Sequence, residues 1–132
     1  MNEAAVPNGL RTWFVVHFVV DLLFAIPMMI APVATLTLFG WQTIDPFTTR
    51  IVAAALFGIG IESWLGRNAG REAYQGMLNL KIIWSSAVII GLAWSLLDGY
   101  QGELFFPLLI LALFLAFNLL WLYWRRRLAQ QT

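Results

Sequence analysis

The sequence predicts an all-α integral membrane protein, a four-helix bundle with its N and C termini in the cytoplasm. Three observations carry that expectation: the composition, four long apolar segments, and the unequal sharing of arginine between the loops. Of 132 residues, 61% are apolar and 11% are charged, against roughly 25% charged in an average soluble domain. So small a polar share cannot cover a core of this size in water. Eight Lys and Arg against seven Asp and Glu leave a net charge of +1, which gives no basic field for nucleic acid. With no Cys and one His, disulfides, thiolate metal sites, thiol catalysis and multi-histidine metal or haem ligation within one chain are excluded.

A membrane-crossing helix needs about 20 mostly apolar residues. The stretch from Trp13 to Gly40 has only His17 and Asp21 as ionisable members. It is too long for one straight helix, and Pro27 and Pro32 each remove a backbone donor, so a kink or break is expected there. The first helix is placed at about 11–31, followed by a short interfacial piece at about 33–40. Asp45 and Pro46 open the second helix, at about 46–66, with Asp as N-cap and Pro at the first helical position. Gly66, Asn68 and Gly70 close it. The third helix, at about 73–97, contains Asn79 and Lys81 and ends at the Asp98-Gly99 turn. The fourth, at about 104–126, has Asn118 as its one strongly polar member and stops at Arg125, Arg126 and Arg127. The spans use about 80–90 of the 132 residues and leave only short loops and two small tails, so a single membrane domain over 1–132 is expected. The first segment reads as a retained helix, because a cleaved signal has a core of only ~7–15 apolar residues behind a basic leader.

Four crossings place both tails and the loop between the second and third helices on one side. Arg11, Arg67, Arg71, Arg125, Arg126 and Arg127 all lie there, whereas the other side has Arg50 with Asp45, Asp98 and Glu103. Cytoplasmic loops carry the excess of Lys and Arg, so the arginine-rich side is expected to be cytoplasmic, in a multi-pass protein of the cell membrane. Trp13, Trp64, Trp121, Tyr123 and Trp124 then mark one interface, and Trp41, Trp94 and Tyr100 the other.

Within the spans stand His17, Asp21, Glu62 and Lys81, with Asn79 and Asn118 as neutral companions. Ionisable groups at membrane depth are costly and normally face protein or a water-filled cavity. At ~1.5 Å per residue, Asp21 and Lys81 each lie ~15 Å along their helices from Arg11 and Arg71, His17 ~9 Å, Glu62 ~7.5 Å from Arg67, and Asn118 ~10 Å from Arg125. All six are therefore expected in the cytoplasmic half, as one intramembrane polar cluster. His17 and Asp21, four apart, share a face. Glu62 stacks over Gly58 and Ala54, and small residues usually mark a packing face, so Glu62 is expected to point inward. Lys81 shares a face with Tyr74 and Ser85. Depth pairs Lys81 with Asp21, and a crossed pairing with Glu62 stays open.

Four readings of this cluster compete. It is polar glue that sets helix register, with contacts of about a kcal/mol or less. Alternatively it lines a ligand pocket open to the cytoplasm, or it serves proton-coupled transport, which also needs a path through the apolar outer half. The fourth reading makes His17 and Asp21 an acid–base pair acting on a lipidic substrate, with no nucleophile, metal or cofactor motif beside it. Ala54 with Gly58, and Ala87 with Gly91, are small-xxx-small pairs suited to helix packing within the chain or to a dimer face. Arg125 to Arg127 read as a membrane anchor in contact with anionic headgroups.

Arg50 and the Ile-Val-Ala-Ala-Ala-Leu-Phe-Gly-Ile-Gly run that follows it, with the four-span plan and the length, resemble small DoxX-like integral membrane proteins. That resemblance implies a fold and a membrane location, and by analogy with redox assemblies a partner subunit. A direct thiol role is untenable without Cys. Small multidrug transporters share the four-span size and depend on an acidic residue in the first helix. Asp21 stands in a comparable place, though among the bulky Val19, Val20, Leu22 and Leu23. The favoured expectation is a non-enzymatic membrane protein without metal or cofactor. It acts as an accessory or assembly subunit beside a membrane partner or second copy, or binds a hydrophobic ligand. The alternative is a dimeric proton-coupled transporter of small cations.

Overall fold

The computed structural model describes residues 5–130, and among them every regular element is helical. The elements are α1 (Asn8–Ile30), α2 (Pro32–Leu38), α3 (Pro46–Leu65), a 3₁₀ turn (Gly66–Asn68), α4 (Arg71–Leu97) and α5 (Phe105–Ala129). Four of them, α1, α3 with its 3₁₀ extension, α4 and α5, are long and apolar enough to cross a membrane. The chain divides into two compact units. One holds Pro7–Asn68, and the other holds the described residues from Ala69 on together with Ala5 and Val6.

In the first unit, α1 begins three positions before the expected start, because Pro7 supplies the carbonyl that receives the amides of Leu10 and Arg11. Of the two prolines expected to disturb it, Pro27 lies inside the helix, and the break comes at Ala31, just before Pro32. A residue ahead of proline is pushed out of the helical region, and Ala31 has φ −134° and ψ 65°. The Pro27 carbonyl then receives both the Ala31 amide and the Thr35 hydroxyl, at 2.9 and 3.0 Å. The short α2 ends in a Schellman turn: Trp41 N–H donates to Leu36 and Gly40 N–H to Thr37. This turn needs a left-handed residue, and Gly40 supplies φ +84°.

The α3 helix starts as its sequence requires. Asp45 caps it, its two carboxylate oxygens accepting the amides of Phe47 and Thr48, and Pro46 follows at the first turn. The Thr48 hydroxyl, before the Phe47 amide, holds the Asp45 carboxyl below its ordinary value. The helices α1 and α3 run antiparallel and are fastened at both ends. Arg11 donates to the Arg67 carbonyl at one end, and Arg50 Nε to the Met29 carbonyl, at 3.1 Å, at the other. Carbonyls near helix C-termini lack intrahelical donors, so each arginine satisfies an otherwise open acceptor.

In the second unit α4 and α5 also run antiparallel. Arg71 donates to the Leu128 carbonyl, and Arg125 Nε lies 2.9 Å from the Asn79 amide oxygen. Pro107 is tolerated in the first turn of α5, where its missing N–H has no helical acceptor, and Arg126 and Arg127 complement the dipole in the last turn. This last helix runs to Ala129, three residues past its expected end.

The distribution of polarity is inverted relative to a soluble domain. The buried stripe of α1 is Leu10, Phe14, His17, Asp21 and Ala25, and that of α4 includes Lys81 and Ser85. Meanwhile Leu23, Ile30, Phe47, Ile83, Trp94 and Leu97 are exposed.

Candidate functional site

Within the Pro7–Asn68 unit, the close approach of α1 and α3 is set by small residues. Ala53, Gly60 and Ser63 form the buried face of α3. A Cβ on Gly60 would stand 2.8 Å from Asp21 Cβ and 3.2 Å from its Oδ2. Asp21 is thus laid against bare α3 backbone. Gly58, two residues away and so rotated by about 200°, has no neighbour within 4 Å of where a Cβ would be. Ala54 and Gly58 are both exposed. Within this unit, the close contact with α1 is made at Gly60, on the other side of α3 from Ala54 and Gly58. Gly91 likewise has no neighbour within 4 Å of a built Cβ, and Ala87 is exposed.

His17 and Asp21 are both more than nine-tenths buried. His17 Nδ1 lies 2.8 Å from Asp21 Oδ2, one helical turn along. The contact is an ion pair when the imidazole carries its second proton. No donor is aligned on Oδ2 with hydrogen-bond geometry. Ser63, on the facing helix, turns its hydroxyl back to the Ile59 carbonyl at 2.7 Å. Toward the end of α3, Phe18 stacks on Trp64 at 5.2 Å, and the Arg67 guanidinium lies 3.8 Å over the same indole.

Glu62 does not join this pair. It is exposed on the same α3 face as Ala54 and Gly58, so the expectation that it points inward is corrected. The small residues beneath it face away from α1.

The second unit holds its own polar group. Asn118 Nδ2 lies 2.8 Å from Ser85 Oγ, 3.0 Å from Ser86 Oγ and 3.3 Å from the Ile82 carbonyl. Ser85 in turn donates to the Lys81 carbonyl at 2.7 Å. Lys81 is buried, with its ammonium 5.2 Å from the centre of the Trp121 ring, within range of a cation–π attraction. Asn79 is exposed and accepts from Arg125. The two serines as partners of Asn118 escaped sequence reasoning. Their signal was the Ser-Ser pair inside an apolar run, one turn beyond Lys81.

Of the six expected cluster residues, four are buried, as His17 with Asp21 in one unit and Lys81 with Asn118 in the other. Glu62 and Asn79 lie on the surface. Among the described residues no three of His, Cys, Asp or Glu gather as a metal would require. Arg127 donates to the Tyr123 hydroxyl at 2.7 Å and lies 5.8 Å from the Trp124 ring, and Arg126 is exposed beside it. No family model matches this chain, and no curated protein or solved structure does either.

Proposed function

We propose that this protein is a multi-pass protein of the cell membrane. Its four long helices would form a bundle with the tails before α1 and after α5 in the cytoplasm, in the manner of small DoxX-like proteins. It works without catalysis of its own, as an accessory or assembly subunit that docks on a membrane partner or a second copy through the outward face of α3. The buried polar groups and exposed aliphatic side chains support residence in lipid, and the arginine-rich loops support the orientation.

The observation that carries the docking role is Glu62. It is exposed, with no hydrogen bond or ion pair among the described residues, on a face smoothed by Ala54 and Gly58. An acid on an apolar helix is costly toward lipid, and small residues let another helix approach closely enough to satisfy it. A shared pocket gathering all six polar residues is less well supported, because Glu62 and Asn79 face outward.

The chain has no Cys, so Ala54→Cys gives a single reporter. Oxidation in native membranes should trap a disulfide-linked pair of chains if the occupant is a second copy. If it is another protein, Gly58→Leu, at a position where an added Cβ meets nothing within 4 Å, should abolish a complex seen by native mass spectrometry after gentle extraction. No crosslink in Ala54→Cys together with a wild-type monomer that carries no bound protein would refute the docking role. The second reading, a dimeric proton-coupled transporter of small cations, is favoured by the buried pairing of His17 with Asp21, at 2.8 Å. It requires Asp21-dependent proton flux in liposomes on addition of a cation substrate, and is rejected if a broad cation panel gives none.

A further inference from the structure

Along the end of α5, Leu119, Leu122, Tyr123, Arg126, Arg127 and Gln130 line an open groove of about 510 Å³. Their spacing puts them on one helical stripe, which passes from the apolar run into the basic last turn. The geometry points to a binding site for an anionic glycerophospholipid, held by its phosphate at Arg126 and Arg127 with an acyl chain along Leu119 and Leu122. The inference rests on the membrane reading above.

The donors are arranged for a phosphate. Arg127 is held in place by donating to Tyr123 Oη at 2.7 Å and by lying against the Tyr123 and Trp124 rings, at 5.9 and 5.8 Å. Because Tyr123 Oη accepts from Arg127, its own proton is left to donate to a ligand oxygen. Arg126 is exposed and has no hydrogen bond or ion pair among the described residues, so its planar fork is available for two parallel bonds to phosphate oxygens. Gln130, one turn on, adds an amide donor. No acidic side chain lines the groove. The headgroup of phosphatidylcholine is zwitterionic, its choline offsetting its phosphate, so two guanidinium groups favour a headgroup with net negative charge over it. Arg125, the third member of the basic run, is turned to Asn79 on α4 instead and lies outside the groove.

The test uses the full chain in phosphatidylcholine vesicles carrying a minority of phosphatidylglycerol, extracted gently and read by native mass spectrometry. Wild type should retain phosphatidylglycerol over phosphatidylcholine about thirtyfold above their ratio in the bilayer, the fold-change that two arginines give at about 1 kcal/mol each. Arg126→Gln with Arg127→Gln should remove the enrichment, Tyr123→Phe should reduce it, and Arg125→Gln should leave it unchanged. Far-UV circular dichroism checks that each variant keeps its helices. Equal loss in Arg125→Gln would reduce the effect to diffuse charge and overturn the site. Displacement of the lipid by millimolar inorganic phosphate would assign the groove to a free anion and overturn the lipid. A protein that inserts into pure phosphatidylcholine and resists carbonate extraction, yet shows no phosphatidylglycerol preference, refutes this site alone. Failure to insert into any bilayer refutes the membrane reading and this site with it.

Discussion

Replacing Gly60 by Ala places a methyl carbon 2.8 Å from Asp21 Cβ, 3.2 Å from Asp21 Oδ2 and 3.4 Å from Leu22 Cδ1. Packed carbons sit about 3.5–4.0 Å apart, so α1 and α3 must separate by roughly 1 Å at this level or Asp21 must move. Overpacking of this kind costs about 1–3 kcal/mol, offset by about 1 kcal/mol because Ala is a better helix former than Gly. Gly58→Ala makes the same helix-propensity gain on the same helix and meets nothing within 4 Å. The difference between the two variants therefore isolates the clash, about 1–3 kcal/mol, or roughly 5- to 150-fold in the folding equilibrium. Equilibrium unfolding in mixed micelles with rising dodecyl sulfate, followed by far-UV circular dichroism, reads both. Gly58→Ala should be as stable as wild type or more so, and Gly60→Ala should unfold earlier. If Gly60→Ala matches Gly58→Ala, the α1–α3 approach is not as tight as the Asp21 contact requires.

The remaining predictions concern the polar groups. Asn118→Ala removes the donor to Ser85, Ser86 and the Ile82 carbonyl. Interhelical bonds in membrane proteins average about 0.6 kcal/mol with a maximum near 1.7, so the same unfolding assay should show a loss in that range, and no loss would remove the group from the account of α4–α5 pairing. The Asp45 carboxyl, held below its ordinary value chiefly by the Thr48 hydroxyl, stabilises the start of α3 above the unfolded pKa of about 4, and that stabilisation is lost as pH falls through the folded value. Amide exchange at Phe47 and Thr48 should accelerate in acid for wild type, whereas Asp45→Asn should keep a cap and flatten the acid response. An unchanged acid response in Asp45→Asn would assign the titration elsewhere.

The four long helices were legible because each signal was local: apolar length, the Asp45-Pro46 start and the Gly-rich stop after Leu65; the basic run after Trp124 was read as a stop, but α5 continues through it to Ala129. Pro27 and Pro32 looked equivalent in sequence, yet only the second breaks the helix. Ala31 leaves the helical region there, and Thr35 takes up the Pro27 carbonyl. The polar pairing was less legible because depth was counted from the nearest arginine. Arg71 meets Leu128, not Arg125, so the zero on α5 was three residues too early, about 4.5 Å. With that shift Asn118 comes level with the middle of α4, where Ser85 and Ser86 receive it. Glu62 was misread for a different reason. Two small-residue faces lie on α3, and sequence alone could not choose between Gly58 and Gly60.

The arginines at the helix ends have a consequence for how the chain is built. Arg11 and Arg71 lie on the side proposed as cytoplasmic, and Arg50 on the other. Each of them also grips a carbonyl of the helix it packs against. If the proposed orientation holds, Arg11 and Arg71, two of the arginines that would set it, are also residues that latch a hairpin once its two helices pair. Moving such a charge to the opposite loop would not simply invert the protein. It would produce an inverted hairpin that no longer closes, coupling correct topology to survival of the folded chain.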